Sequence, residues 1–454
     1  MDSYEKFLES KKHSLGEFGF EPLFIPDIAF DFQKFVIEKA VRKGRIANFL
    51  DTGLGKTLIQ ISIAHNIVLK TNKRVLILTP LAVAFQFIIE AEKIGIDDIE
   101  YSKDGKFTKK IVICNYERLH YFNSSDFIGV ITDESSILKN FDGKIKNNIT
   151  SFIKKLPYRF LSTATPAPND YIEFGTSSEA LGYLPYMDML QRFFANNENN
   201  IRPQDIGSKW YLKPHAKDDF FSWVNQWSIS VKTPSDLGFS NDLYILPELI
   251  ENKVMVKNTN NWVINGQILL FNSTAKTMSE VREEQKGTVQ NRCEKAFELA
   301  HNKTSVYWCN FNDEGDLLDQ IDKDAIQIKG GMTIEKKEDI LLSFAKGEIQ
   351  RLITKPKITS FGLNWQHCNH TVYFPTWSYE QYYQAIRRFW RFGQTKPVTV
   401  DLVVSDGQQR VLDTLVYKTE KAIQFNDSLK KALNQSVEMK SKEFNQNIIK
   451  PKFL

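Results

Sequence analysis

The run Leu50-Asp51-Thr52-Gly53-Leu54-Gly55-Lys56-Thr57 decides the fold. Upstream, Ile46-Ala47-Asn48-Phe49-Leu50 is a short, mostly apolar stretch fit for a buried strand. Downstream, Leu58, Ile59, Ile61, Ile63 and Ala64 can continue as a buried helix. Between them, Gly53 and Gly55 let backbone N–H groups turn inward around a phosphate with no side chain in the way. Lys56 would reach the β- and γ-phosphates of a nucleotide, and the Thr57 hydroxyl would bind Mg²⁺. The general pattern asks for glycine where this chain has Leu50, so the loop alone could also be an ordinary glycine-rich turn.

A second segment completes the pattern. Ile128-Gly129-Val130-Ile131-Thr132 is apolar and β-prone, and it ends in adjacent carboxylates, Asp133 and Glu134. A carboxylate at a strand's C-terminal end can hold Mg²⁺, usually through water. Its neighbour Glu134 can then orient and deprotonate an attacking water. An Asp-Glu pair is commonly just a solvated turn; after a GxGKT loop in an α/β pattern it becomes a strong signal. The third segment is residues 384–394, QAIRRFWRFGQ. As a helix it would put Gln384, Arg388 and Arg391 on one face, offering two guanidinium groups to a transferring phosphoryl group. A basic helix facing solvent or DNA is the plainer reading, and it is preferred for Arg387.

Together these segments resemble the superfamily-two helicases and translocases, most closely their Swi/Snf-like branch. Phe32-Gln33 precedes the loop at a distance similar to the family's adenine-reading glutamine, and DTGLGKT (51–57) looks like its first motif. LILTPLAVAFQF (76–87) is similar to the next motif, in which Thr79 and Pro80 would meet a nucleic-acid backbone. VICNYERL (112–119), DESSILKN (133–140) and LSTATPAPN (161–169) resemble three more. ITSFGLNWQ (358–366) resembles the Gly-Leu-Asn motif of the second lobe, with Gly362 and Asn364, and RFWRFGQ (388–394) matches an Arg-x-x-Arg-x-Gly-Gln ending. Two segments depart from the family pattern. Ser135-Ser136 lacks the family's histidine link to the second lobe, though a Ser136 hydroxyl could bond to Gln384. Lys355-Pro356-Lys357 stands where many relatives carry Ser-Thr-Arg.

The resemblance implies two tandem RecA-like lobes, with an aromatic-rich segment inserted between them. It also implies a motor that uses ATP and Mg²⁺ on DNA, a duplex bound through its backbone, with no membrane involved. Lys56, Thr57, Asp133 and Glu134 would come from the first lobe, Arg388 and Arg391 from the second, with lobe closure delivering the arginines. Gln33, Gly53, Gly55, Gly362 and Gln384 would complete the nucleotide site. Duplex translocation is the expected activity. A strand-separating or branch-migrating helicase, or an ATPase subunit of a larger nucleic-acid complex, are the alternatives. The chain's compactness suits a phage or bacterial replication or recombination factor, acting in the cytoplasm with proteins of those processes.

Composition agrees. At 454 residues, two or three domains are expected, and 42% hydrophobic with 25% charged residues is a soluble globular balance. No apolar run approaches a membrane span, and the N-terminus has no signal-peptide pattern. Cys114, Cys293, Cys309 and Cys368 lack metal-ligand spacing and read as reduced, buried thiols. A net charge of +4 assigns DNA contact to local basic patches. The expected divisions are 1–175 for the first lobe, 176–300 for an insertion and helical bracket, 301–426 for the second lobe and 427–454 for a basic tail. Trp210, Tyr211, Phe220, Phe221, Trp223 and Trp227 could stack bases, but their helix-like spacing favours the core of the insertion.

Overall fold

The computed structural model describes residues 18–80, 83–139, 144–167, 170–196, 210–241, 244–257, 262–264, 267–269, 284–359, 364–405, 408, 411–413, 415–417, 419–420 and 428. The chain divides into two compact units, Met1–Asn241 with Ala422–Leu454, and Asp242–Lys421. Each is a RecA-like α/β lobe built on a parallel sheet with flanking helices.

The first unit runs α1 (Asp31–Lys43), β1 (Arg45–Leu50), α2 (Lys56–Thr71), β2 (Arg74–Thr79), α3 (Ala84–Lys93), β3 (Ile99–Tyr101), β4 (Ile111–Asn115), β5 (Phe127–Asp133), α4 (Lys144–Ile153) and β6 (Tyr158–Thr163). It continues with α5 (Glu173–Leu181), α6 (Tyr186–Phe193), β7 (Phe194–Asn196), β8 (Trp210–Leu212), α7 (Lys217–Trp227) and β9 (Ser228–Val231). The sheet order is β3-β4-β2-β5-β6-β1-β9, and every pairing in it is parallel. β1, β2 and β6 are buried from their second residue to their last, as strands covered on both faces must be.

The aromatic-rich segment shares this core. Phe220, Phe221 and Trp227 of α7 are buried in the same cluster as Phe49 of β1 and Phe174 of α5. Phe49 meets Trp227 edge-on at 6.1 Å and Phe174 at 5.7 Å. The segment also supplies β9, whose Val231 carbonyl accepts the Asp51 N–H at 2.9 Å and so pins the start of the glycine-rich loop.

The second unit contains β10 (Leu249–Val256), an antiparallel pair β11 (Trp262–Ile264) and β12 (Gln267–Leu269), α8 (Val289–Ala300), β13 (Ser305–Trp308), α9 (Asn312–Ile321), β14 (Ala325–Gln327), α10 (Ile334–Ala345), β15 (Arg351–Thr354), β16 (His370–Tyr373), α11 (Tyr379–Ile386) and β17 (Val398–Ser405). Its six-stranded sheet has the order β10-β17-β16-β13-β15-β14 and is parallel throughout. The described part of the helical bracket expected up to residue 300 includes α8, whose Cys293, Ala296 and Ala300 belong to this unit's core.

Several buried charges in this unit are paired. Arg292 of α8 meets Glu314 of α9 at 2.6 Å, and Glu314 also accepts the N–H groups of Asn310 and Phe311 at the start of α9. Arg351 meets Asp322 at 2.6 Å. A polar chain crosses four strands: Ser305 Oγ to His370 Nδ1 at 2.9 Å, His370 Nε2 to Asp401 at 2.9 Å, and Asn252 Nδ2 to Asp401 at 2.8 Å. Removing one member would leave buried polar groups unsatisfied, which is the costly case.

The four cysteines are buried and free. Burial pushes the Cys293 and Cys368 thiols up to about 12, and raises Cys114 and Cys309 further. Among the described residues, no helix is long and apolar enough to cross a membrane.

Candidate nucleotide site and arginine turn

Because the first sheet is parallel, the last residues of its strands share one edge. Leu50 ends β1, Thr79 ends β2, Asp133 ends β5 and Thr163 ends β6. Ligands of open α/β sheets bind beyond such carboxyl ends. The sequence makes this edge polar by closing apolar strands with Thr, Asp-Glu and Thr, which can be solvated or liganded where the strand leaves the core.

The loop between β1 and α2 has the backbone its glycines permit, with φ of 86° at Gly53 and 75° at Gly55. Lys56 opens α2 and donates from Nζ to the carbonyls of Leu50 at 3.0 Å and Asp51 at 3.3 Å. Thr57 follows it in the first turn of α2. Gln33, in the first turn of α1, accepts the Phe30 N–H at 2.9 Å and donates to the Leu54 carbonyl at 3.1 Å. Its amide therefore braces the loop. A Cβ built on Gly55 would stand 2.2 Å from Gln33 Nε2, so the brace requires glycine there.

Asp133 is buried and held from three elements. Gln60 of α2 donates to Oδ1 at 2.8 Å, Thr79 of β2 donates to Oδ2 at 3.5 Å, and the Tyr116 hydroxyl donates to the Asp133 backbone carbonyl. Burial pushes its carboxyl above the ordinary range, while the Gln60 bond and the Lys56 charge pull it back down. Glu134 follows with φ of 51°, a left-handed conformation that costs energy for a residue with a Cβ. The Thr163 hydroxyl donates to its Oε2 at 3.2 Å and accepts the Thr165 N–H at 3.1 Å.

Thr79 departs from expectation. It is fully buried and turned towards Asp133, so its hydroxyl is not presented to a nucleic-acid backbone. Gln60 is a positioning residue that sequence reasoning passed over, and Tyr116 is one that it quoted within VICNYERL (112–119) without assigning it a role. A glutamine inside the apolar run Leu58-Ile59-Gln60-Ile61 was the available signal for the first.

In the second unit, Gln384 lies on α11 and is buried. The helix expected through residue 394 stops at Ile386, with Arg387 as its C-cap. Arg388 and Arg391 therefore lie in turns, and the shared helical face does not form. The cause is tertiary: the Arg388 carbonyl accepts the Trp365 N–H at 3.0 Å, Phe389 packs against Trp308 and Trp365, and Gly393 turns left-handed with φ of 91°.

Arg387 is likewise not a solvated cation. It is buried, with its guanidinium 4.8 Å from the Trp390 ring centroid and 5.4 Å from that of Tyr383. Burial, and secondarily the Arg387 charge, lower the Arg391 pKa to about 10, so it stays protonated at neutral pH. Asn364 is exposed. Gly362, Asn140, Pro168, Asn169 and the tail from 429 onward lie outside the described residues.

The donor set of the first unit suits a magnesium-bound triphosphate: a lysine ammonium, loop amides opened by two glycines, a threonine hydroxyl and two carboxylates. Thr57 and Asp133 would hold the metal, which would neutralise phosphate charge when bound. Among the described residues there is no cluster of three or more His, Cys, Asp or Glu side chains able to hold a metal alone.

Residues 288–393 match the family described as the helicase conserved C-terminal domain. The match spans the second unit from α8 through the arginine turn. No curated protein sequence matches the chain. Among solved structures, the chain is similar to the Sulfolobus solfataricus SWI2/SNF2 ATPase core in complex with dsDNA, at 18% identity, over 93% of this chain and 97% of that one, with a TM-score of 0.42.

Proposed function

We propose that this chain is an ATP-dependent motor that hydrolyses ATP, with Mg²⁺, to move along duplex DNA in replication, recombination or repair. The observation that carries the reading is the gathering of Lys56, Thr57, Asp133 and Glu134 at one sheet edge, with Glu134 held by Thr163. Lys56 meets the phosphates, Thr57 and Asp133 hold the metal, and Glu134 accepts the proton of the attacking water. Gln33 and Gln384 are assigned to nucleotide binding, and Arg388 and Arg391 answer charge developing on the transferred phosphoryl group.

The helicase-like second unit supports a nucleic-acid track. So does a cleft of about 240 Å³ at the C-terminal ends of β13, β14 and β15, lined in part by Asn312, Lys329, Gly330, Gly331 and Lys355. Lys329 is paired with Asp316 of the same lining at 2.8 Å. It is therefore the Lys355 ammonium and the glycine amides that suit a sugar–phosphate backbone, and they would make binding independent of base sequence and sensitive to salt. The test is ATPase rate with single-stranded, duplex, forked and four-way DNA and with RNA. Duplex should stimulate most, and a third strand should be displaced from a triplex while the duplex stays paired. Efficient unwinding of forked duplex would replace translocation with strand separation, and a rate of zero with every substrate would leave a structural subunit.

A further inference from the structure

The second unit carries another polar cleft, at the N-terminal edge of its sheet, opposite the edge bearing Trp308 and Thr354. β13, β16 and β17 begin there at Ser305, His370 and Val398. Lys303, His367, Asn369, His370 and Lys396 line a space of about 340 Å³, with the hydroxyl residues Thr304 and Thr399. The loops forming its wall are tied together. The Cys368 thiol donates to the Thr304 carbonyl at 3.3 Å, Asn369 Nδ2 donates to the Pro397 carbonyl at 3.0 Å, and Gln394 Nε2 donates to the Cys368 carbonyl at 3.3 Å.

The residues lining this cleft carry charge of one sign, and the Lys303 charge also acts on Asp401 behind them. None of the lining residues is a carboxylate. Asp401, beside His370, is buried, and its oxygens are engaged by Asn252 and His370. Lys303 and Lys396 are exposed, and the ion pairs found among the described residues do not include either of them. His367 is held at the rim by its ring contact with Phe344, at 5.0 Å between centroids.

We propose that this cleft binds a phosphate group, with Lys303 and Lys396 supplying charge and Asn369, Thr304 and Thr399 supplying neutral donors. Two ammonium groups and several short polar side chains suit a tetrahedral anion with oxygens on every side, and lysine binds phosphate as a point charge. The phosphate belongs either to a small phosphorylated ligand or to a nucleic-acid backbone. The site does not depend on the ATPase reading, since it uses none of the residues assigned to hydrolysis.

The experiment uses the full chain carrying Lys56→Ala, which silences the loop cation of the first unit. Inorganic pyrophosphate is titrated by calorimetry, and a blunt DNA duplex by fluorescence anisotropy over a range of salt. The same titrations follow with Lys303→Gln and Lys396→Gln added, and with both lysines changed to arginine. If the source is a small ligand, the glutamine pair should weaken pyrophosphate at least about tenfold while the arginine pair largely retains it. If the source is a backbone, duplex affinity should fall and its salt slope should drop by roughly 0.9 for each phosphate that is no longer neutralised. Unchanged pyrophosphate affinity together with unchanged duplex affinity and slope would overturn the site.

Discussion

The phosphate-loop edge of the first unit and the arginine turn of the second are built in opposite ways. The first places its groups at the ends of neighbouring parallel strands and ties them with side-chain bonds: Gln33 to Leu54, Gln60 and Thr79 to Asp133, Thr163 to Glu134. The second holds its arginines on an irregular turn, with aromatic rings beneath Phe389 and one carbonyl bonded to a distant N–H. Strand ends give each group a fixed position from local sequence. The turn takes its shape from residues far away in the chain, and moving one ring would move it.

The largest expected effects set these regions directly against each other. Lys56→Ala should abolish turnover and weaken nucleotide binding together. Arg391→Ala should leave nucleotide affinity near that of the parent while hydrolysis falls about 10³-fold, the scale of a lost arginine finger. Lysine at 391 should rescue little, because a point charge lacks the planar fork. Nucleotide titration beside ATPase assays separates the two; an Arg391→Ala chain still driven by duplex DNA to parental rates would break the division of labour.

Within the first unit, Glu134→Gln should still bind ATP but hydrolyse it at least ~10²-fold more slowly, the scale of a lost general base. Turnover like the parent's would remove Glu134 from that role. Gln60→Leu is the finer probe. A hydrogen bond to an ionised carboxylate lowers its pKa, so losing this one should raise that of Asp133. The acid limb of the ATPase pH profile should then move to higher pH, with a loss below about tenfold at neutral pH, the scale of one hydrogen bond. An unmoved acid limb would confine Gln60 to packing.

Much of this was legible in the sequence because it is written in short runs. Arg74-Val75-Leu76-Ile77-Leu78 announces a strand buried on both faces, and the two glycines before Lys56 announce the loop. What was not legible depends on distant partners. Nothing in residues 384–394 reveals that Trp365 takes the Arg388 carbonyl and ends the helix. β10 pairs with β17 across about 150 positions and is largely exposed, so no apolar run marks it. The aromatic segment likewise shows its rings, but not that its last strand would lie beside β1 and hold Asp51.

The buried thiols give the molecule built-in clocks. Cys114 sits within the first sheet, and Cys293, Cys309 and Cys368 lie in the second unit. With their pKa values pushed up, almost none is thiolate at neutral pH, so an alkylating reagent must wait for local opening. Mass spectrometry of each cysteine peptide over time would therefore time the breathing of the two units separately, without a single introduced label. Nucleotide that tightens only the first should slow Cys114 alone.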